Sequence, residues 1–415
     1  MPSNIQAPDT AFPLRNIAFI RLLAFRVSIT FSYQIMAVVV GWHVYQITHD
    51  PLSLGLIGLA EVFPYFCTAL FAGHAVDHYS RRMFGVMAST LLVLNALVLA
   101  AIAAGLLLHE SESSLFIYAS IACVGFARAF IGPSYSALFA LVLPRQQFAR
   151  AASIGSSVLQ TGLVLGPAIG GGMIAWAGIT SAYLMSALFA LFAVIAMLSL
   201  RVKEPPGTDS TPVFASIAQG LRFVFGNQIM LGAQALDMFA VLFGGAVAML
   251  PMFIHDVFHY GPEGLGILRA APAIGGIATG IWLTRHPVNL HAGRILLVAV
   301  AGFGLSIIAF ALSGSFWMAA MLLLISGICD GVSVVVRTTI MQLVTPDAMR
   351  GRVSAINGIF IGSSNELGAF ESGMMARLMG LIPSVIFGGA MTIAVVGAVA
   401  KWAPGLRKLN MRDLH

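Results

Sequence analysis

The chain has 415 residues, of which 59% are hydrophobic and only 9% charged, with a formal net charge of +6. A water-soluble domain carries roughly 25% charged residues, so this composition excludes a soluble enzyme and makes lipid the main solvent. The positive balance does not indicate nucleic-acid binding, because the basic residues lie in short loops between apolar stretches, where they set membrane topology.

A helix needs about 20 apolar residues to cross a bilayer. By that measure the first apolar stretch, 18–46, is a spanning helix. It carries Arg21 and Arg26 and runs past Val40 without a small-residue cleavage site, so it reads as a span and not as a signal peptide. Tyr33, Gln34, Trp42 and His43 on it are candidates to line a solute path, with packing or interface roles expected for most of them and a solvated or hydrogen-bonded state the default for His43. Span 2, 53–73, carries Glu61 and ends in Gly73-His-Ala-Val-Asp77-His-Tyr-Ser-Arg81-Arg82. Gly73 allows a close helix approach, and Asp77 at a helix end can meet the positive N-terminus of another helix. Span 3 is 83–108. Span 4, 114–143, contains Arg128-Ala-Phe-Ile-Gly132.

Span 5, 151–176, reads Gly162-Leu-Val-Leu-Gly166-Pro167-Ala-Ile-Gly170-Gly171. Small residues four apart permit backbone-to-backbone packing, and Pro167 removes a helical hydrogen bond. Span 6 is 180–201. After a linker at 203–227, span 7 (228–255) carries Asp237, and spans 8 and 9 occupy 263–284 and 292–313. Span 10 (316–344) carries Asp330 and Arg337, span 11 (352–378) carries Glu366 and Glu371, and span 12 is 381–402.

Loop charges alternate. Arg81 and Arg82, Arg145 and Arg150, Arg201 with Lys203 and Arg222, Arg285 and Arg294, and Arg350 and Arg352 fall on one side, with Lys401, Arg407, Lys408 and Arg412 in the tail. The opposite loops, such as 109–114 and 255–264, hold acidic residues. The positive-inside rule places both termini and the linker in the cytoplasm. Cys67, Cys123 and Cys329 sit inside apolar stretches without metal-ligand spacing and are expected to be buried packing residues. No Asn-x-Ser/Thr sequon indicates a glycosylated surface protein.

The halves repeat at an offset of 202 residues. Gly125 matches Gly327, Pro144 matches Pro346, Arg150 matches Arg352, Gly166 matches Gly368, Gly171 matches Gly373 and Gly178 matches Gly380. Six crossings separate the matched segments, so the halves share one orientation.

These features resemble the major facilitator superfamily. The 73–82 loop is similar to its cytoplasmic loop motif, although His78 and Ser80 depart from it. Span 5 is similar at every fixed position to its antiporter motif, and Arg128 with Gly132 to its proton-coupling motif, with Ile131 in place of the usual Gln. The segment from Gln342-Leu-Val-Thr-Pro to Ala-Ile-Asn357 resembles the siderophore (enterobactin) and macrolide exporter branch. The resemblance implies an all-α integral membrane protein of the major facilitator fold: about twelve spans in two six-helix bundles, 1–202 and 228–415, related by a parallel pseudo-two-fold and joined by the linker. It implies a latch at Gly73, Asp77, Arg81 and Arg82, and export through the motif at Gly162, Gly166, Pro167, Gly170 and Gly171.

Glu61, Arg128, Asp237, Asp330, Arg337, Glu366 and Glu371 lie well inside spans. At roughly 2.5–3.5 kcal/mol each, exposing them to lipid would cost about 20 kcal/mol, so they must face the interior or one another. The repeat aligns Arg128 with Asp330 and predicts that they face each other across a central cavity. Asp330 and Arg337, two turns apart, share a helix face, and Asp237 is placed on another cavity span. Asp330 or Glu366 is the expected proton carrier, since burial disfavours a charged carboxylate and a nearby guanidinium restores it; Arg128 then tunes it or binds an anionic substrate. Glu371, nearer the outside, fits a gate. Helix-registering salt bridges are the alternative reading for each.

No phosphate-binding loop or catalytic constellation is present, so the expected activity is not enzymatic and needs no cofactor or metal. The expectation is a monomeric proton-coupled antiporter in the bacterial inner membrane, exporting a siderophore or drug-like amphiphile, with the substrate, protons and lipid as partners and no nucleic acid. An uptake symporter on the same fold is the alternative, and a membrane receptor or enzyme is the more distant one.

Overall fold

The computed structural model describes residues 13–107, 110–202, 204, 213–286, 288, 290–346 and 349–410, all in helices and their connections. Span 1 is Ile17–Thr48, span 2 Pro51–His78, span 3 Arg81–Ala103 and span 4 Glu110–Val142. A continuous 52-residue helix, Phe148–Ser199, follows. It is broken at Gly178, where φ is 81° and ψ 174°, and so makes spans 5 and 6. A linker helix, Val213–Gly226, precedes span 7, Gln228–Phe243. Span 8 is Pro262–Arg285, span 9 Ala292–Ala311, span 10 Phe316–Val344, span 11 Arg350–Met379 and span 12 Leu381–Trp402.

Ten of these helices are long and apolar enough to cross a membrane, one of them being the broken Phe148–Ser199 helix. Span 11 is long enough, at 30 residues, but too polar to meet the same measure. It is shielded by its position, packed between span 2, span 7 and span 12.

Local chemistry sets the helix starts. Asn16 accepts hydrogen bonds from the amides of Ala18 and Phe19, Asp50 from Ser53, Ser80 from Met83, and Asn227 from Ile229 and Met230. Each side chain satisfies amides that have no partner within the first helical turn. The expected span limits hold to within a few residues, except in two places. The linker contains a helix, and its Val224 packs with Met230 and Val353. Span 7 does not run on to residue 255 as a regular α-helix. Beyond Gly244 the chain winds as a 3-10 turn, Gly245–Met249, and later as a π turn, Phe253–Phe258. Pro251 lacks an amide donor there, and Gly244 and Gly245 favour helix poorly.

The repeat is visible in backbone geometry. Gly380, at φ 92° and ψ 162°, breaks spans 11 and 12 as Gly178 breaks spans 5 and 6. This conformation suits glycine and strains other L-residues. Span 4 meets span 2 at Gly125, where a Cβ would lie 2.2 Å from the Glu61 carbonyl; span 10 meets span 8 at Gly327, where one would lie 2.0 Å from the Pro272 carbonyl. Spans 1 to 6 pack together, span 2 joining through span 4, as do spans 7 to 12, span 8 joining through span 10 and span 11 through spans 7 and 12; the two groups meet where span 2 packs on span 11 and span 5 on span 8.

These close approaches gather at one end of the molecule. A Cβ at Gly171 would come within 2.5 Å of the Pro262 carbonyl and 2.9 Å of the Gly266 amide nitrogen; one at Gly373 would come within 2.6 Å of the Pro51 carbonyl. Tyr45 donates to Asp256 at 2.7 Å, and Arg377 reaches Asp50 at 3.4 Å. Toward the other end spans 2 and 11 diverge: Gly362 still meets Tyr65, but Gly73 and Gly358 meet nothing within 4 Å. The close approach expected of Gly73 is therefore not made in this arrangement, because it lies at the splayed end. Cys67 and Cys123 are also not buried; both are exposed, and Cys329 is half-buried.

Gly171→Val should loosen the sealed end, since its side chain would meet backbone atoms that cannot move aside singly. In a chain whose native cysteines are replaced, maleimide labelling of Ala248→Cys from the sealed side should rise. Unchanged labelling would show that this contact does not hold the seal.

Candidate functional site

A cavity of about 580 Å³ lies between the two helix groups, within the size range of small-molecule sites. Span 1 contributes Tyr33 and Gln34, span 2 Glu61, span 4 Arg128, span 5 Leu163 and Pro167, span 8 Arg269, span 10 Asp330 and span 11 Glu366. Most of the remaining lining is apolar, including Ile57, Val124, Val241, Phe303 and Ile307.

The polar centre of the site is Arg128. Its Nη1 contacts Glu61 Oε1 and lies 3.0 Å from Glu366 Oε1. The Tyr33 hydroxyl donates to the same Glu61 oxygen at 3.1 Å. The guanidinium also sits over aromatic faces, 4.4 Å from the Tyr33 ring centre and 5.5 Å from that of Tyr65. Such faces attract a cation within about 6 Å. One cation thus ties spans 2 and 4 to span 11, in the opposite half of the repeat.

Glycines set the register of this cluster. Gly125 brings span 4 against the backbone of Glu61, one turn from Arg128. A Cβ at Gly58 would lie 2.4 Å from the Glu366 carbonyl, so span 2 also fixes span 11 beside the same cation. The expected opposition of Arg128 and Asp330 is not formed. Arg128 is taken by carboxylates at closer registers, and Asp330 is exposed to the cavity with no ion pair or hydrogen bond among the described residues.

Asp330 and Arg337 do not act together either. Arg337 pairs with Asp237 of span 7; the two residues are 5% and 6% exposed and line no part of the cavity. The placement of Asp237 on the cavity wall is corrected accordingly: it is buried at the helix interface, paired with Arg337. Nearby, Gln234 donates to Asn357 of span 11 at 2.8 Å. Glu371 also lies outside the lining, two residues before the tight Gly373 contact of the seal. His43 is buried and shares a hydrogen bond of 3.1 Å with the Tyr183 hydroxyl, and Trp42 is buried as well.

The span 5 motif is a packing device with two faces. Cβ atoms at Gly162 and Gly166 would come within 2.5 Å of Thr30 Cγ2 and Gln34 Cβ on span 1, and one at Gly170 within 3.3 Å of Ile35. Gly171 faces span 8 instead, and the Pro167 carbonyl lies 2.7 Å from where a Gly266 Cβ would be. At the splayed end the side chain of Asp77 lies outside the described residues. The amides of Arg81 and Arg82 donate to Glu204 at 2.6 and 3.1 Å, and the Ser80 hydroxyl does so at 3.1 Å. Glu204 therefore caps span 3 from the start of the linker, a role the sequence reading missed.

Arg269 was missed as well. It stands seven residues into its apolar stretch and looks shallow by position, yet it lines the cavity and lies within electrostatic reach of Glu366 and Glu61. The rule that an ionisable residue inside a span marks a site would have found it.

The family model described as Major Facilitator Superfamily matches residues 22–369. The multidrug efflux pump Tap of Mycolicibacterium fortuitum is 26% identical over 386 residues, covering 89% of this chain and 91% of that protein. The enterobactin exporter EntS of Escherichia coli O1:K1 / APEC is 24% identical, covering 86% and 85%. Among solved structures, a bacterial homologue of the human lysosomal transporter Spinster, inward-facing and unoccupied, superposes with a TM-score of 0.73 at 17% identity, covering 97% and 98%. A POT family transporter in complex with 5-aminolevulinic acid gives 0.75 at 11% identity, covering 94% and 96%. At these identities the structures share the fold alone.

Removing one partner of the Asp237–Arg337 pair leaves a buried charge without compensation. Asp237→Ala should cost about 3–5 kcal/mol, read as a lower thermal unfolding midpoint in detergent, and Asp237→Leu with Arg337→Met should recover most of it. A double variant as unstable as the single would argue against a purely structural pair.

Proposed function

Because the chain belongs to the Major Facilitator Superfamily, and is thus a multi-pass membrane transporter and not an enzyme, we propose that it exports a small organic amphiphile in exchange for protons. The observation that carries this reading is the Arg128 bridge. In this reading the Arg128–Glu366 contact, which spans the two halves, is an ion pair only while Glu366 is ionised. Protonation of Glu366 leaves Arg128 to Glu61 and removes the one ionic tie that, among the described residues, crosses the cavity centre. That tie is present at higher pH and lost as pH falls. Glu366 is accordingly the coupling carboxylate of this account, and Arg128 its positioning cation.

Export as the direction rests on two supports: the complete span 5 motif, and relatives named as an efflux pump and an exporter. Residues 1–202 and 228–415 act as the two rocking units, with 203–227 as their connection. The loop charges support cytoplasmic termini and a bacterial inner-membrane location. With that orientation the sealed end faces outward and the cavity opens inward, ready to load from the cytoplasm. When the inner end closes, the loop at Gly73 and Asp77 meets its latch partner. The cavity lies within one chain, which supports a working monomer.

Glu366→Gln should abolish substrate-driven proton movement in proteoliposomes while leaving substrate binding measurable. Full coupling in that variant would remove Glu366 from the mechanism. Asp77→Asn should fold normally and slow transport; wild-type rates would count against the latch. Inside-out vesicles energised with a proton gradient test direction, and uptake into right-side-out vesicles instead would identify a symporter.

A further inference from the structure

Contacts within the cavity leave two charged side chains without a direct partner, although Arg269 lies within electrostatic reach of the two carboxylates that share Arg128. Glu61 and Glu366 share Arg128, and Asp237 is matched to Arg337. Arg269 on span 8 and Asp330 on span 10 both line the cavity. Among the described residues neither makes a hydrogen bond or an ion pair within 4.0 Å.

Their relative position follows from the helix contact. Spans 8 and 10 run in the same direction and touch where Pro272 meets Gly327. Arg269 lies three residues before that level, toward the sealed end, and Asp330 three residues beyond it. At 1.5 Å per residue the two positions are about 9 Å apart along the bundle. The surface beside them is small or apolar: Ala273, Ser326, Phe303 and Ile307.

We infer that this wall is the substrate subsite, and that it selects a zwitterionic amphiphile whose acidic group meets Arg269 deep in the cavity and whose cationic group meets Asp330 nearer the open end. This rests on the transport reading above and names its substrate class. Water in an open cavity can solvate both charges. Closure around a ligand removes that water, and a ligand with one charge then leaves the other protein charge desolvated and without a hydrogen-bonding partner. A molecule carrying both charges satisfies both. A site built around polar partners rejects analogues that lack one of them.

The test uses norfloxacin, a rigid aromatic zwitterion with its carboxylate and ammonium at opposite ends. Its methyl ester keeps only the cation, and its N-acetyl derivative keeps only the anion. Binding to the full-length protein in lipid nanodiscs is measured by calorimetry without a proton gradient. The zwitterion should bind roughly ten-fold tighter than either derivative. Asp330→Asn should erase the preference over the N-acetyl compound alone, and Arg269→Gln the preference over the methyl ester alone. Equal binding of the three by the native protein, binding of a derivative but not the zwitterion, or no binding of any would overturn the inference. So would a uniform loss for all three in either variant. If a variant fails to fold, the ranking with the native protein decides. An intact ranking alongside failed proton exchange would sink only the coupling proposal, and a lost ranking with intact exchange only this one.

Discussion

A guanidinium in the middle of a membrane protein must be paired, and the way Arg128 is paired organises the rest of the molecule. Leaving it desolvated and alone would cost more than most other single features contribute. Its partners come from two spans, and each is delivered by a glycine. Gly125 lets span 4 press against the backbone of Glu61, and Gly58 lets span 2 press against that of Glu366. The contact between spans 2 and 11 therefore serves two ends: it seals one side of the molecule and seats the second carboxylate on the cation. Span 11 can be too polar to face lipid because this role keeps it inside.

The bridge also separates the ionic residues by task. Asp237 and Arg337 lie within one half and beyond the cavity, so their pair can persist while the halves move. Arg128 and Glu366 lie on different halves, so their pair must change when the halves move. In the proposed cycle, a proton taken up by Glu366 and a change of access at the sealed end are linked through this one contact. Asp330 and Arg269, left out of both groups, are the charges available to a ligand.

Much of this architecture was legible in the sequence. Spans 10 and 12 end where their apolar stretches end, and the match of Gly178 to Gly380 corresponds to the same backbone break in each half. Depth within spans marked Glu61, Arg128, Asp330 and Glu366, which line one cavity, but it marked Asp237, Arg337 and Glu371 equally, and these do not line it. Pairings were not legible. The repeat aligned Arg128 with Asp330, but register between different spans is fixed by backbone contacts such as Gly58 with Glu366, which no periodicity within one helix reports. Glu204 escaped notice for a similar reason: a cap supplied from a distant loop leaves no local pattern.

The most direct measurement is the distance between spin labels at Gln146→Cys and Gln342→Cys, both exposed near the open end, in a chain without native cysteines. Double electron–electron resonance is recorded across a pH series in nanodiscs. The account predicts that acidification changes the distance distribution of the native background. It also predicts that Glu366→Gln holds the acid-type distribution at every pH. A Glu366→Gln protein whose distances follow pH as the native background does would contradict it.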